Sequence, residues 1–120
     1  MKKEYLAEMI GTMVLVLMGC GTAVSLNCGV DTASVVGTAV AFGLAVVAMA
    51  YTIGGISGCH INPAITLGCL ISTRISPKDA GMYMVFQVIG AFIGSGLLAL
   101  LVSQVGAAGI APVGIQLHRG

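Results

Sequence analysis

The side chains of this chain that can do chemistry gather in one short run, Ser57-Gly58-Cys59-His60-Ile61-Asn62-Pro63-Ala64. Asn followed by Pro reads as a helix start: the Asn side chain caps orphan N–H groups, and Pro is tolerated at the first helical position. A helix begun there carries about half a positive charge at its N-terminus. The amide of Asn62 beside it can donate to the oxygen of a small polar molecule. His60, two residues earlier, either lines an approach to that point or hydrogen-bonds the loop. Cys59 is either a small residue filling space or a thiol beside a narrow passage, where it would confer sensitivity to mercurials. Glu8 stands far upstream inside an apolar run, and a buried carboxylate must find donors or take up a proton. The cysteines, Cys20, Cys28, Cys59 and Cys69, form no C-x-x-C pair and sit in or beside apolar runs, where Cys behaves as a small hydrophobe. No catalytic residue, metal or cofactor is expected.

These residues must be positioned by a chain that is not built for water. It has 120 residues, of which 58% are hydrophobic and only 8% charged, against about 25% charged in a soluble domain. Its net charge of +1 offers no basic patch for nucleic acid. Asp, Glu, Lys and Arg are absent over 22 residues from Met9 to Val30, 42 from Thr32 to Thr73 and 38 from Ala80 to Leu117. A membrane-spanning helix needs about 20 apolar residues, so each stretch can cross a bilayer. The spans are expected at about 5–26, 34–53 and 80–105, with a tail at 106–120 read as loop. The start, Met1-Lys2-Lys3 and an apolar run reaching Gly19-Cys20, imitates a lipoprotein signal. Because Glu8 interrupts that run and the apolar residues continue to Leu26, the segment is read as a retained helix.

Residues 54–73 do not fit a span. Gly54-Gly55-Ile56-Ser57-Gly58 predicts a break in helix. The helix starting at Pro63 and ending near Ile71 would cover about half of a 30 Å core. A half-helix after a Gly-rich extended stretch is the pattern of a re-entrant segment, tolerated only where it lines a cavity or is buried in protein. Lys2, Lys3, Arg74 and Lys78 fall on one side and Arg119 on the other. The positive-inside rule therefore places the N-terminus in the cytoplasm. Gly90 and Gly94 form a GxxxG in the third span, expected to serve helix packing and to offer a contact for a partner. Gln87 is expected to clasp two helices.

The run Ser57-Gly-Cys-His60-Ile-Asn62-Pro63-Ala64 resembles the first Asn-Pro-Ala loop of the aquaporin/glycerol-facilitator family, the major intrinsic proteins. Glu8-Met-Ile-Gly11-Thr12 is similar to the family's first-helix motif. Gly19-Cys-Gly21 and Ala41-Phe42-Gly43-Leu44 are similar to bacterial aquaporin Z-type sequences, and Gln87-Val-Ile-Gly90 resembles the third helix. The likeness implies an all-α integral membrane fold of three spans and one re-entrant half-helix, one inverted-repeat half of an aquaporin. The family's second Asn-Pro-Ala and its filter arginine are absent from these residues.

The resemblance implies a passive channel for water in a bacterial or archaeal plasma membrane. A channel for glycerol or another small neutral solute is the nearest alternative. A non-conducting membrane fragment and half of an ion-coupled transporter are the others. Asn62, Pro63 and Ala64 would line the constriction, with loop carbonyls from Gly55 to Ile61 as acceptors; Asn62 as a plain N-cap is the blander reading. Phe42 matches the outer constriction and resembles water-selective members, or else simply packs between helices. Glu8 would brace the re-entrant loop, with a proton relay as the other reading. Partners would be membrane lipid and a second half-channel or further copies, tetrameric by family likeness.

Overall fold

The structure, a computed structural model, describes residues 3–26 and 28–107. Four helices account for nearly all of them: α1 (Lys3–Ser25), α2 (Thr32–Ser57), α3 (Pro63–Ile71) and α4 (Pro77–Ala107). Three, α1, α2 and α4, are long and apolar enough to cross a membrane. The fourth, α3, has nine residues, about 14 Å at 1.5 Å per residue, and cannot. Asn27, Lys2, Arg119 and the tail beyond Ala107 lie outside the described residues.

Two helices, α2 and α4, depart from the expected spans by more than two residues. First, α2 does not break at Gly54-Gly55 but runs to Ser57, and Gly58 ends it in the left-handed conformation (φ 86°), its N–H returning to the Gly54 carbonyl. Each glycine costs a helix about 1 kcal/mol. A backbone group left unpaired in lipid costs several, so the helix persists until a residue must turn left-handed. Second, α4 starts at Pro77, three residues before the expected 80, and runs past 105 to Ala107. Pro77 suits a first helical turn, and the Ser76 hydroxyl accepts from the Asp79 N–H to cap it.

The central helix is α1, which packs against both α4 and α2, while α3 leans on α4. Small residues make the α1–α4 seam. A Cβ on Gly90 would collide with the Met9 carbonyl, and one on Gly94 would lie 2.7 Å from the Met13 carbonyl oxygen. This Gly90–Gly94 face therefore packs within the chain, which corrects the expectation that it offers a contact to a partner. Lipid provides no hydrophobic drive for helix pairing, so close backbone approach is what holds the two helices. On the other flank Gly11 faces Ile53 and Ile61, beside a small apolar core of Ala7, Ile53 and Ile61 with Leu15, Met49 and Cys59 around it. The outward faces are apolar and uncovered, including Val40, Leu44, Val47 and Phe92, as lipid-facing surfaces should be.

Candidate functional site

Between the end of α2 and the start of α3 lie five residues, 58–62, and their backbone is costly. Gly58, Cys59 and Ile61 all have positive φ (86°, 53° and 43°). For a β-branched residue such as Ile61 this is a rare state, and each such residue costs on the order of 1–3 kcal/mol. Strain of that size persists only if the surroundings over-determine it.

Glu8 does so. Its carboxylate is fully buried and accepts four hydrogen bonds. The Ser57 hydroxyl donates at 2.6 Å and the His60 N–H at 3.1 Å to Oε2. The Ile61 N–H at 2.7 Å and Gln87 Nε2 at 2.8 Å donate to Oε1. Every partner donates, and among the described residues no Lys or Arg pairs with the carboxylate. All four bonds use Glu8 as an acceptor, and three of them come from residues 57–61. Gln87 spends its second amide hydrogen on Thr66 Oγ1 at 2.9 Å, so one side chain of α4 ties α1 to the half-helix. Gln87, on α4, thus bonds one residue of α1 and one of α3.

Three contributors were not singled out from the sequence. Ser57 Oγ bonds both Glu8 and the Cys59 N–H at 3.2 Å. Thr66, the only buried residue of α3, receives Gln87. Tyr83 donates its hydroxyl to the Ser57 carbonyl at 2.8 Å and sets its ring 5.0 Å from that of His60. Spacing carried a signal for two of them: Tyr83 is one turn before Gln87, and Thr66 one turn after Asn62, so each shares a helix face with a singled-out residue.

Asn62 caps α3 as its sequence suggests, with Oδ1 accepting from the Ala64 N–H at 2.8 Å and Pro63 in the first helical turn. That bond fixes the amide's orientation and leaves Nδ2 without a partner among the described residues. Asn62, Pro63 and Ala64 are all exposed. Among the described residues no hydrogen bond ends on the carbonyls of Gly58, Cys59, His60 or Ile61. The extended stretch is shorter than the expected Gly55–Ile61, because residues 55–57 belong to α2 and the Ser57 carbonyl accepts from Tyr83.

The remaining residues lie apart. The Cys59 side chain packs against the Ala7–Ile53–Ile61 cluster. Phe42 lies about 24 Å along α2 from Gly58, at 1.5 Å per residue, and is half-buried with its ring where a Cβ on Gly19 would be. At the basic end of the bundle a cleft of about 470 Å³ opens, lined by Glu4, Ser57, His60, Arg74, Asp79 and Tyr83 among others.

Three long apolar helices and one half-helix, with an exposed Asn-Pro-Ala at its start and a buried glutamate behind it, define one class of membrane protein. The family model for "Major intrinsic protein" matches residues 1–118, and the chain belongs to that family. Among its relatives, Aquaporin Z of Rhodopseudomonas palustris is 50% identical over 108 residues, covering 88% of this chain and 44% of that protein. Glycerol uptake facilitator protein-like 6 of Lactiplantibacillus plantarum is 42% identical over 104 residues, covering 87% and 46%. Aquaporin Z of Bradyrhizobium diazoefficiens is 45% identical over 103 residues, covering 84% and 42%. The chain thus spans less than half the length of these curated relatives. Its architecture is that of one half of an aquaporin fold.

Proposed function

We propose that this chain forms one half of a passive channel for water, inserted in a bacterial plasma membrane with its N-terminus in the cytoplasm. The observation that carries the reading is the row of unpaired carbonyls from Gly58 to Ile61 leading to the exposed amide of Asn62. In hydrocarbon each unpaired carbonyl would cost several kcal/mol, so such backbone belongs against a water-filled cavity. A small neutral molecule passing there exchanges one acceptor for the next and then meets the Asn62 donor. The positive end of α3 repels cations and protons at the same point. Walls are needed to close the cavity. Asn62, Pro63 and Ala64, together with the uncovered Ile65, Leu67 and Ile71 of α3, form the surface to which a second half-channel would fit.

Water is favoured over glycerol by Phe42, which resembles the aromatic of water-selective members, and by the likeness to proteins named Aquaporin Z. The relative named as a glycerol uptake facilitator keeps a larger neutral solute as the second reading. The test is osmotic. Liposomes holding this chain with the unmatched part of the Rhodopseudomonas palustris relative should shrink faster than empty ones, and the 120 residues alone should conduct poorly. Asn62→Asp should slow that flux or admit cations, because a charge replaces a donor. Unchanged flux together with unchanged ion exclusion would contradict the pore role.

A further inference from the structure

The hydrogen bonds behind the loop have a direction, and following it assigns a proton. Gln87 lies within reach of Glu8 and Thr66, and either its oxygen or its nitrogen faces them. Each Glu8 oxygen already faces a fixed backbone donor, the His60 N–H on Oε2 and the Ile61 N–H on Oε1, which is the arrangement of an acceptor-only carboxylate. A Gln87 oxygen would then oppose Oε1 at 2.8 Å, acceptor against acceptor, so the nitrogen occupies the site. This orientation holds even though it leaves Gln87 Oε1 buried without a partner. Both amide hydrogens are then committed, one to Glu8 and one to Thr66 Oγ1.

Thr66 Oγ1 therefore accepts from Gln87 and still has its own hydrogen to place. Helical threonines commonly return it to the carbonyl four residues back. Thr22 and Thr52 do so here, to Met18 at 2.8 Å and Ala48 at 2.6 Å. Thr66 makes no such bond to Asn62, whose carbonyl accepts the Thr66 N–H instead. The remaining acceptor is His60 Nδ1, 3.0 Å away. A neutral imidazole that accepts at Nδ1 carries its hydrogen on Nε2. No protein partner meets Nε2 among the described residues, and it is not among the buried unpartnered atoms. His60 lines the cleft at the basic end of the bundle, its ring held against Tyr83.

We infer that Thr66 is a positioning residue which fixes His60 in the Nε2–H form, so that the cleft presents a hydrogen-bond donor to the oxygen of a small neutral permeant just before the row of carbonyl acceptors. The relay Glu8–Gln87–Thr66–His60 transmits the fixed acceptor character of Glu8 to the opposite face of the loop. The permeant rests on the channel reading above; the position of the proton does not.

The test is nitrogen NMR of the full chain in lipid bilayers with 15N-labelled histidine. The chain has two histidines, and a His118→Gln variant leaves His60 as the sole signal. At neutral pH the expected spectrum is one form, with Nδ1 unprotonated and Nε2 protonated. Thr66→Ser keeps that spectrum, because it keeps the hydroxyl. Thr66→Val gives a mixture of both tautomers. A wild-type chain protonated on Nδ1 would overturn the assignment before any variant is made. A Thr66→Val spectrum identical to wild type would overturn the role of Thr66. Osmotic flux measured in the same lipid, with the second half present, separates the two readings: absent flux with the expected spectrum overturns the channel and leaves the proton where it is.

Discussion

Two of the chain's loops contain a cysteine in the left-handed conformation, Cys28 at φ 52° and Cys59 at φ 53°, and they are held in different ways. Cys28 closes α1 from within, its N–H bonding the Ala23 carbonyl at 2.8 Å while Gly29 N–H reaches Leu26 at 3.2 Å. Asp31 then caps α2 through the Ser34 N–H and hydroxyl. Among the described residues, no hydrogen bond of this loop spans more than five residues. The Cys59 N–H returns only to Ser57 Oγ at 3.2 Å. The Ser57 hydroxyl and the His60 and Ile61 N–H groups around it, however, are held by Glu8, about fifty residues earlier. Gln87 of α4 holds Glu8 in turn, and Tyr83 of α4 takes the Ser57 carbonyl. The same backbone state is thus local at one end of α2 and tertiary at the other. A turn whose bonds are local only has to join two helices. One held from α1 and α4 at once keeps a fixed shape, as a loop that aims Asn62 and a row of carbonyls must.

Removing the brace should have the largest effect. Glu8→Ala strands the Ser57 hydroxyl, two backbone N–H groups and Gln87 in a buried place, and breaking such a network costs about 3–5 kcal/mol. Thermal unfolding in mild detergent should show a large drop in Tm, and a variant within a degree or two of wild type would mean that the loop holds itself. Tyr83→Phe removes one neutral hydrogen bond and leaves the Ser57 carbonyl unpaired, a loss of about 1–3 kcal/mol by the same assay. Cys28→Gly should go the other way, raising stability by about 1 kcal/mol, because glycine reaches the left-handed state without a Cβ penalty. A destabilised Cys28→Gly would show that the first loop has tertiary support after all.

The smallest effect is one of pH. Asp31 is held below its ordinary value of 3.8, first by the Ser34 hydroxyl and then by the Ser34 N–H. A carboxyl whose value is lowered in the folded chain adds stability above its unfolded value and loses it as pH falls through the folded one. The cap of α2 should therefore weaken only below about pH 4, as a slight fall in Tm that Asp31→Asn abolishes. A pH dependence that survives Asp31→Asn arises elsewhere.

Much of this arrangement was legible in the residues. Charge-free stretches marked the three spans, and Asn62-Pro63 marked a half-helix, because length and capping are local properties. Glu8 was legible as an acid that must find donors. Which donors it finds was not, since Ser57, His60, Ile61 and Gln87 come together only through packing. Gly54-Gly55 misled because glycine's cost in a helix was weighed without the larger cost of unpaired backbone in lipid. Gly90 and Gly94 form a small-xxx-small face, and such a face does not say which helix it will meet; here it lies against α1 of the same chain.

The central claim is that Glu8 holds the 58–61 loop from outside, whereas the 26–31 loop holds itself. Amide hydrogen exchange in lipid nanodiscs, read residue by residue in wild type and Glu8→Ala, tests this most directly. The account predicts that the His60 and Ile61 amides are protected in wild type and exchange freely in the variant, while the Cys28 and Gly29 amides and the middle of α1 and α4 are unchanged. Equal protection of His60 and Ile61 in the two proteins would contradict it.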